Sequence, residues 1–362
     1  MKLFTTYISI LAKRVLPVVI MAVLLSSGCS QPPQEYTSQV IGHGKMPNLA
    51  GDNTGMFYIV YGTGDSILFS SSTDAGKTFS APALLAVLPD LMAHSMRGPQ
   101  VALTAGGATV IACNKQGDIF SFAKDKSGNW SAPVKVNDID TVAKEGLMAL
   151  GADGDHAFAV WLDLRDNKRN KIAGAASDDG GKTWSENRII YSSPDTTVCE
   201  CCKPSVAVHG SNVYVMFRNR LNGNRDLYLI RSADGGKTFG DAKKLGTNSW
   251  KLNACPMDGG GLAVANDNAA ETVWRRNDSI FSCRAGDKEK LVAKGKNCTI
   301  ESVNGKNVYA WTSNGEIIIK RPGGDTINLG KGQLPLLKRI NGDLVLCAWE
   351  KDKQVLVQTV RL

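Results

Sequence analysis

The sequence has no apolar run long enough to span a bilayer. Its longest, residues 15–25, falls well short of the roughly 20 residues a membrane helix needs. No helical period of useful length follows residue 28, which argues against an α or α/β fold. No Pro- or Ser-rich stretch interrupts the interior, so one domain is the simplest organisation. An excess of one charge is also missing. The net charge is +8; residues 1–28 carry Lys2, Lys13 and Arg14 and no acid, so the rest stands at +5. That is too mild to argue for a nucleic-acid partner. The nine cysteines follow no standard zinc spacing. With 43% hydrophobic and 21% charged residues, 362 residues are ample for a large core without help from disulfides.

The N-terminus shows the three regions of a secretory leader. Lys2, Lys13 and Arg14 precede the apolar run, and Ser26-Ser27-Gly28-Cys29 closes it. The small residues before Cys29 resemble a bacterial lipobox, with Ser26 where that pattern prefers Leu. The resemblance implies a signal peptide over 1–28, lipidation of Cys29, a membrane anchor and a place in the cell envelope. Plain secretion with cleavage elsewhere is the alternative. Residues 29–38 are polar and contain proline, as suits a tether, and 39–362 form the folded part.

What the chain does have is self-similarity. Ser72-Thr73-Asp74-Ala75-Gly76-Lys77-Thr78-Phe79 recurs as Ser177-Asp178-Asp179-Gly180-Gly181-Lys182-Thr183-Trp184 and as Ser232-Ala233-Asp234-Gly235-Gly236-Lys237-Thr238-Phe239. A fourth copy, 123–130, keeps Asp125 and Trp130 but loses the Ser and Thr. Asp and Ser side chains close tight turns on backbone N–H groups, and glycine permits φ > 0. Around each copy lie two apolar runs separated by a short polar loop, as in 57–61 with 67–70 and 157–161 with 172–176. Seven such pairs run to 344–349 with 355–360, each preceded by a further strand candidate. Four antiparallel strands per unit is propeller arithmetic. The seventh unit lacks a strand, which 36–41 would supply. The eight-residue motif resembles the Asp box of sialidases and related propellers. The fold expected is therefore all-β, a β-propeller of four-stranded blades, seven by count, with the six of sialidases left open.

Strand alternation puts the boxes, between the third and fourth strands, on one face. The other face collects the loops between second and third strands and those between blades. The first set is cationic: Arg165 near Asp163, then Arg218, Arg220 and Arg225, then Arg275 and Arg276. Clustered guanidinium suits carboxylate or sulfate, with Arg–Asp pairing inside the chain as the alternative. The second set carries soft ligands: His94 and Met96 beside Arg97, then Cys199, Cys201 and Cys202, then Cys255 and Met257. Thiolate, thioether and imidazole together suit a soft or borderline metal such as copper. Disulfides, for example Cys202 to Cys255, are the alternative outside the cytoplasm. Cys113, Cys283 and Cys347 lie in strand runs and read as small buried hydrophobes.

The sialidase resemblance implies three arginines on a substrate carboxylate, a Tyr nucleophile activated by Glu, and an Asp acid/base. Lys45-Met46-Pro47 stands at the first arginine's motif, Arg218 or Arg225 matches the second, and Arg275 or Arg276 the third. Lys203-Pro204-Ser205 stands where the activating Glu is expected, with Glu200 nearby. Tyr309 is the late tyrosine, and Asp163 or Asp258 the acid. Lys45 lacks the bidentate fork, and Lys203 replaces a base that a tyrosine nucleophile needs. Three functions follow: an anchored propeller binding, with or without hydrolysing, an anionic glycan or other small ligand; a cysteine-based metal or redox protein; and an interaction scaffold without chemistry.

Overall fold

A computed structural model describes residues 36–362 except Asn53 and Asn266. The signal segment 1–28, Cys29 and tether residues 30–35 lie outside the described residues. Among those described there are 28 strands, and no helix is long and apolar enough to cross a membrane.

The strands form seven four-stranded antiparallel sheets. Six are built from consecutive strands, in the segments 45–87, 100–135, 148–191, 205–244, 261–294 and 296–331. The seventh takes three strands from 333–361 and its fourth from Gln39–His43. Gln39 pairs with Val357 and His43 with Gln354, which closes the ring. The closing ladder begins three residues later than the expected 36–41, although the Tyr36 carbonyl still accepts a 2.7 Å bond from Gln358 Nε2.

Each second strand lies between two neighbouring sheets and is apolar on both faces. Residues 57–62, 108–113 and 157–163 are buried without a break. Burial on both faces turns the usual alternation into a continuous run. The first strands line a central channel of about 420 Å³, reached by 48–51, 100–103, 149–152, 205–209, 261–264, 299–301 and 336–338.

The boxes repeat in atomic detail. Ser72 Oγ donates to Asp74 Oδ1 (2.8 Å) and accepts the Gly76 N–H (3.0 Å). Asp74 accepts the Thr78 amide (2.9 Å) and hydroxyl (2.6 Å). The boxes at Ser177 and Ser232 make the same four bonds. Each box also docks on the preceding blade. Trp184 Nε1 donates to Ser121 Oγ (2.8 Å), Phe239 meets Phe158 edge-on, and Trp130 meets Phe69 the same way. The box is thus a tie between blades, and its carboxylate is spent inside the turn.

The Thr78 hydroxyl and amide hold the Asp74 carboxyl at about 2. A carboxyl lowered by folding stabilises the native state above its unfolded pKa, and the contribution is lost as pH falls through the folded value. Thr78→Val should return Asp74 towards the ordinary value of about 4. An NMR titration of the side chain in both proteins is the measurement.

Candidate functional site

Pairing decides what each arginine can do. The second and third strands of blade 4, Asn212–Leu221 and Asn224–Ser232, form a long hairpin that contains Arg218 and Arg225. Arg275 and Arg276 likewise end the strand Ala270–Arg276. The expected arginine loops are therefore mostly paired strand, and most guanidiniums are committed. Arg165 binds Asp163 through Nε (2.9 Å) and Nη2, and also reaches Asp138. Arg97 donates to the Glu145 carbonyl (2.6 Å) and carboxylate. Arg276 pairs with Glu289 (2.9 Å) and lies over the Phe281 ring. Arg225 forks onto Glu200, at 3.2 and 3.3 Å, and donates to Cys199 Sγ at 3.0 Å.

Arg218 is 2% exposed and bonds only main-chain carbonyls. It donates to Arg225 O (2.8 Å), Arg275 O (3.0 Å) and Asp258 O (3.2 and 3.3 Å), over the Trp250 ring. These contacts take up the fork that a substrate carboxylate would need. Arg97, Arg165, Arg218, Arg225 and Arg276, expected to bind ligand, thus each have partners within the protein.

The three catalytic candidates are not brought together. Asp163 is fully buried and accepts four bonds, from Trp161 Nε1, the Arg165 amide and two Arg165 side-chain nitrogens. Tyr309 lies mid-strand in the seam between blades 5 and 6, its hydroxyl 3.2 Å from Ser282 Oγ. Glu200 is held by Arg225 on the loop between blades 3 and 4. Neither carboxylate bonds the tyrosine, because each belongs to a different blade junction.

Free cationic groups gather instead at the channel mouth, on the face away from the boxes. A cavity of about 430 Å³ there is lined by Lys45, His94, Met257, Arg275, Lys296 and neighbouring residues. Lys45 and Lys296 have no ion-pair partner among the described residues. Arg275 donates to Pro256 O (3.0 Å) and sits 3.6 Å from Asp258. Burial, then the cations Arg97 and Lys45, lower the His94 pKa. The carboxylates nearby are occupied. Glu350 accepts the Met46 amide (2.9 Å), and Asp258 accepts the Asn297 amide (2.9 Å).

The rim backbone is unusual. Met46, Met96, Met257, Asn297 and Leu334 all have φ between 51° and 68°. Bulky residues rarely adopt this region, and such outliers cluster at functional sites. Register shifts between Lys45 and Asn48, Lys296 and Thr299, and Gln333 and Leu336 enclose Met46, Asn297 and Leu334, which line the cavity. Below the rim, Lys203 Nζ donates to Gln100 Oε1 (2.6 Å), which also accepts from Asn48 (3.2 Å). Burial lowers the Lys203 ammonium to about 8. Lysine here plugs the throat, where the resemblance implied a glutamate.

Sequence reading found Lys45 and missed Lys296, Gln333 and Leu334. The recurrence of Lys45-Met46-Pro47 as Gln333-Leu334-Pro335 was the available signal. A larger cavity, about 720 Å³, lies between the second and third boxes, but its box carboxylates Asp179 and Asp234 already close turns.

The soft ligands divide. Cys199, Cys201 and Cys202 are buried together, their ligand atoms within 4.8 Å of one another. Cys255 is exposed and free, and Met257 and His94 line the mouth instead. Of the six residues expected as metal ligands, three lie together and three apart, and Cys202 and Cys255 are both free. Hydrogen-bond contacts with Cys201 and Cys202, and the nearby Arg218 charge, push the Cys199 thiol down. Cys201 and Cys202 are pushed up, the first chiefly by its contact with Cys199 and the second chiefly by burial. Cys113, Cys283 and Cys347 are buried within strands, as expected.

The sequence model of the BNR repeat-like domain matches residues 47–292. A sialidase from Bacteroides fragilis is 24% identical over 208 residues, covering 53% of this chain and 37% of that protein. The chain therefore spans under half the length of the curated relative it matches. Among solved structures, the BP39L lectin from Burkholderia pseudomallei has a TM-score of 0.62 at 10% identity, over 88% of this chain and 96% of the lectin. Virginiamycin B lyase from Staphylococcus aureus has a TM-score of 0.50 at 13% identity, over 90% and 100%. At such identities the likeness is one of fold.

If Arg218 is framework, removing it leaves buried carbonyls without donors. Arg218→Ala should cost about 3 kcal/mol in urea unfolding, and Arg220→Ala under about 0.5. Equal costs would return Arg218 to the ligand-binding groups.

Proposed function

The chain belongs to the BNR repeat-like domain family, and from that premise we propose that its propeller binds an anionic glycan at the channel mouth without hydrolysing it. One observation carries the reading. Lys45 and Lys296 face a cavity of about 430 Å³ without ion-pair partners among the described residues, while the arginines of the other loops are spent on internal acids and carbonyls. A carboxylate or sulfate on the ligand supplies the missing counter-charge, and Arg275 and His94 supply further donors. The sialidase relative makes a sialylated glycan the first candidate. Hydrolysis is left out because Tyr309 bonds Ser282 rather than a carboxylate base, and an unactivated tyrosine is a poor nucleophile.

Calorimetry with sialyllactose, and lactose as the uncharged control, tests this. Sialyllactose should bind more tightly, and Lys45→Ala or Lys296→Ala should each weaken it about tenfold, the worth of one charge-assisted bond. Equal affinity for the two sugars would sink the binding proposal. Turnover of a fluorogenic sialoside would sink the non-hydrolytic part.

The reading includes a lipid on Cys29 that holds the propeller at the cell envelope, supported by the leader-like residues before it. Cys29→Ala should move the protein from the membrane fraction to the soluble one. An unchanged distribution counts against the anchor.

A further inference from the structure

A second site lies outside the mouth, on the loop between blades 3 and 4. Cys199, Cys201 and Cys202 are 0%, 5% and 2% exposed and form an apolar cluster of their own. Cys199 Sγ is 3.1 Å from Cys202 Sγ and 3.7 Å from Cys201 Sγ. Neighbouring strands fix the loop: the Cys199 amide donates to Arg218 O (2.9 Å) and the Val198 amide to Asn170 O (3.1 Å).

The charges around it are out of balance. Arg225 Nη1 donates to Cys199 Sγ at 3.0 Å. Arg218, whose main-chain carbonyl holds the Cys199 amide, is buried and has no carboxylate partner among the described residues. Burying a guanidinium without a counter-ion is unfavourable. Beside these two cations stand three sulfurs and one carboxylate, Glu200, which is about one-third exposed.

We propose that Cys199, Cys201 and Cys202 form a three-thiolate site for a soft monovalent metal ion, copper(I) in kind. On binding, three metal–sulfur bonds form and every thiol proton that the trio still carries is released to solvent. No electron is transferred. One monovalent cation and three thiolates carry a charge of −2, beside which stand Arg218 and Arg225, the latter also paired with Glu200. Thiolate ligands select copper(I), zinc and iron–sulfur clusters. Zinc in structural sites takes four ligands, and no fourth Cys, His, Asp or Glu joins this group among the described residues. Cys255, Met257 and His94 are not part of it.

The full chain, reduced and kept anaerobic, is titrated with copper(I) against a chromophoric copper(I) chelator. One tightly held ion per chain is expected, and the copper absorption edge should report three sulfur neighbours. Cys201→Ser should weaken binding at least a hundredfold, and Cys255→Ser should leave it unchanged. The edge measurement uses the unaltered protein, so it stands even if a cysteine variant folds poorly. Copper held equally well by Cys201→Ser, or fewer than three sulfurs at the edge, overturns the proposal. So does tighter binding of zinc than of copper(I), or a Cys199–Cys202 disulfide that persists under reductant and excludes the ion.

Discussion

Ring closure is the constraint on which the rest depends. A four-stranded sheet with apolar faces needs neighbours on both sides, and a row of such sheets ends in two open faces. Pairing of Gln39–His43 with Gln354–Arg361 removes both ends. The closing strand also leads straight into the mouth. Gly44 joins it to Lys45, and its amide bonds Lys353 O at 2.8 Å. A Cβ at Gly44 would meet the Tyr61 ring at 2.4 Å and Gly62 O at 2.8 Å, so only glycine lets the chain turn there. The segment that completes the ring therefore also sets Lys45 among residues from blades more than 200 positions away.

Once closed, the propeller must place its charges. The handling differs by location. At the blade junctions, guanidiniums are matched locally with carboxylates and carbonyls, as at Arg165–Asp163 and Arg276–Glu289. Such pairs hold hairpins in register and offer little to a ligand. At two places the matching is incomplete. The mouth keeps lysines without ion-pair partners among the described residues, and the cysteine loop keeps guanidiniums beside thiols. The first is open to solvent and suits a large anion. The second is closed and suits something the size of one ion. Both lie on loops at the face opposite the Asp boxes, whose own polar groups are used up in holding blades together.

The box was legible because its bonds close within seven residues, so the motif contains its own partners. The blade count was legible because the doubly buried second strands write themselves as apolar runs. The three vicinal cysteines were legible as a group, since residues two or three apart on a tight loop can hardly separate. The arginines misled because clustering along the chain says nothing about whether a hairpin continues through them. Blade 4 keeps pairing to Leu221 and Asn224, which takes Arg218 inside. Tyr309 misled for a similar reason: a period-two strand does not say which seam a side chain enters.

By itself, then, the sequence determined the all-β architecture, the repeated turn and the cysteine triplet, and favoured seven blades over six. Each rests on interactions between residues close in the chain or on a periodicity that needs no partner to be seen. Only the tertiary structure decided which cations stay free, that Lys296, Gln333 and Leu334 share a rim with Lys45, and that Cys255, Met257 and His94 stand apart from the triplet. Those outcomes depend on contacts between blades distant in sequence, and on desolvation, which is a property of the assembled ring rather than of any segment within it.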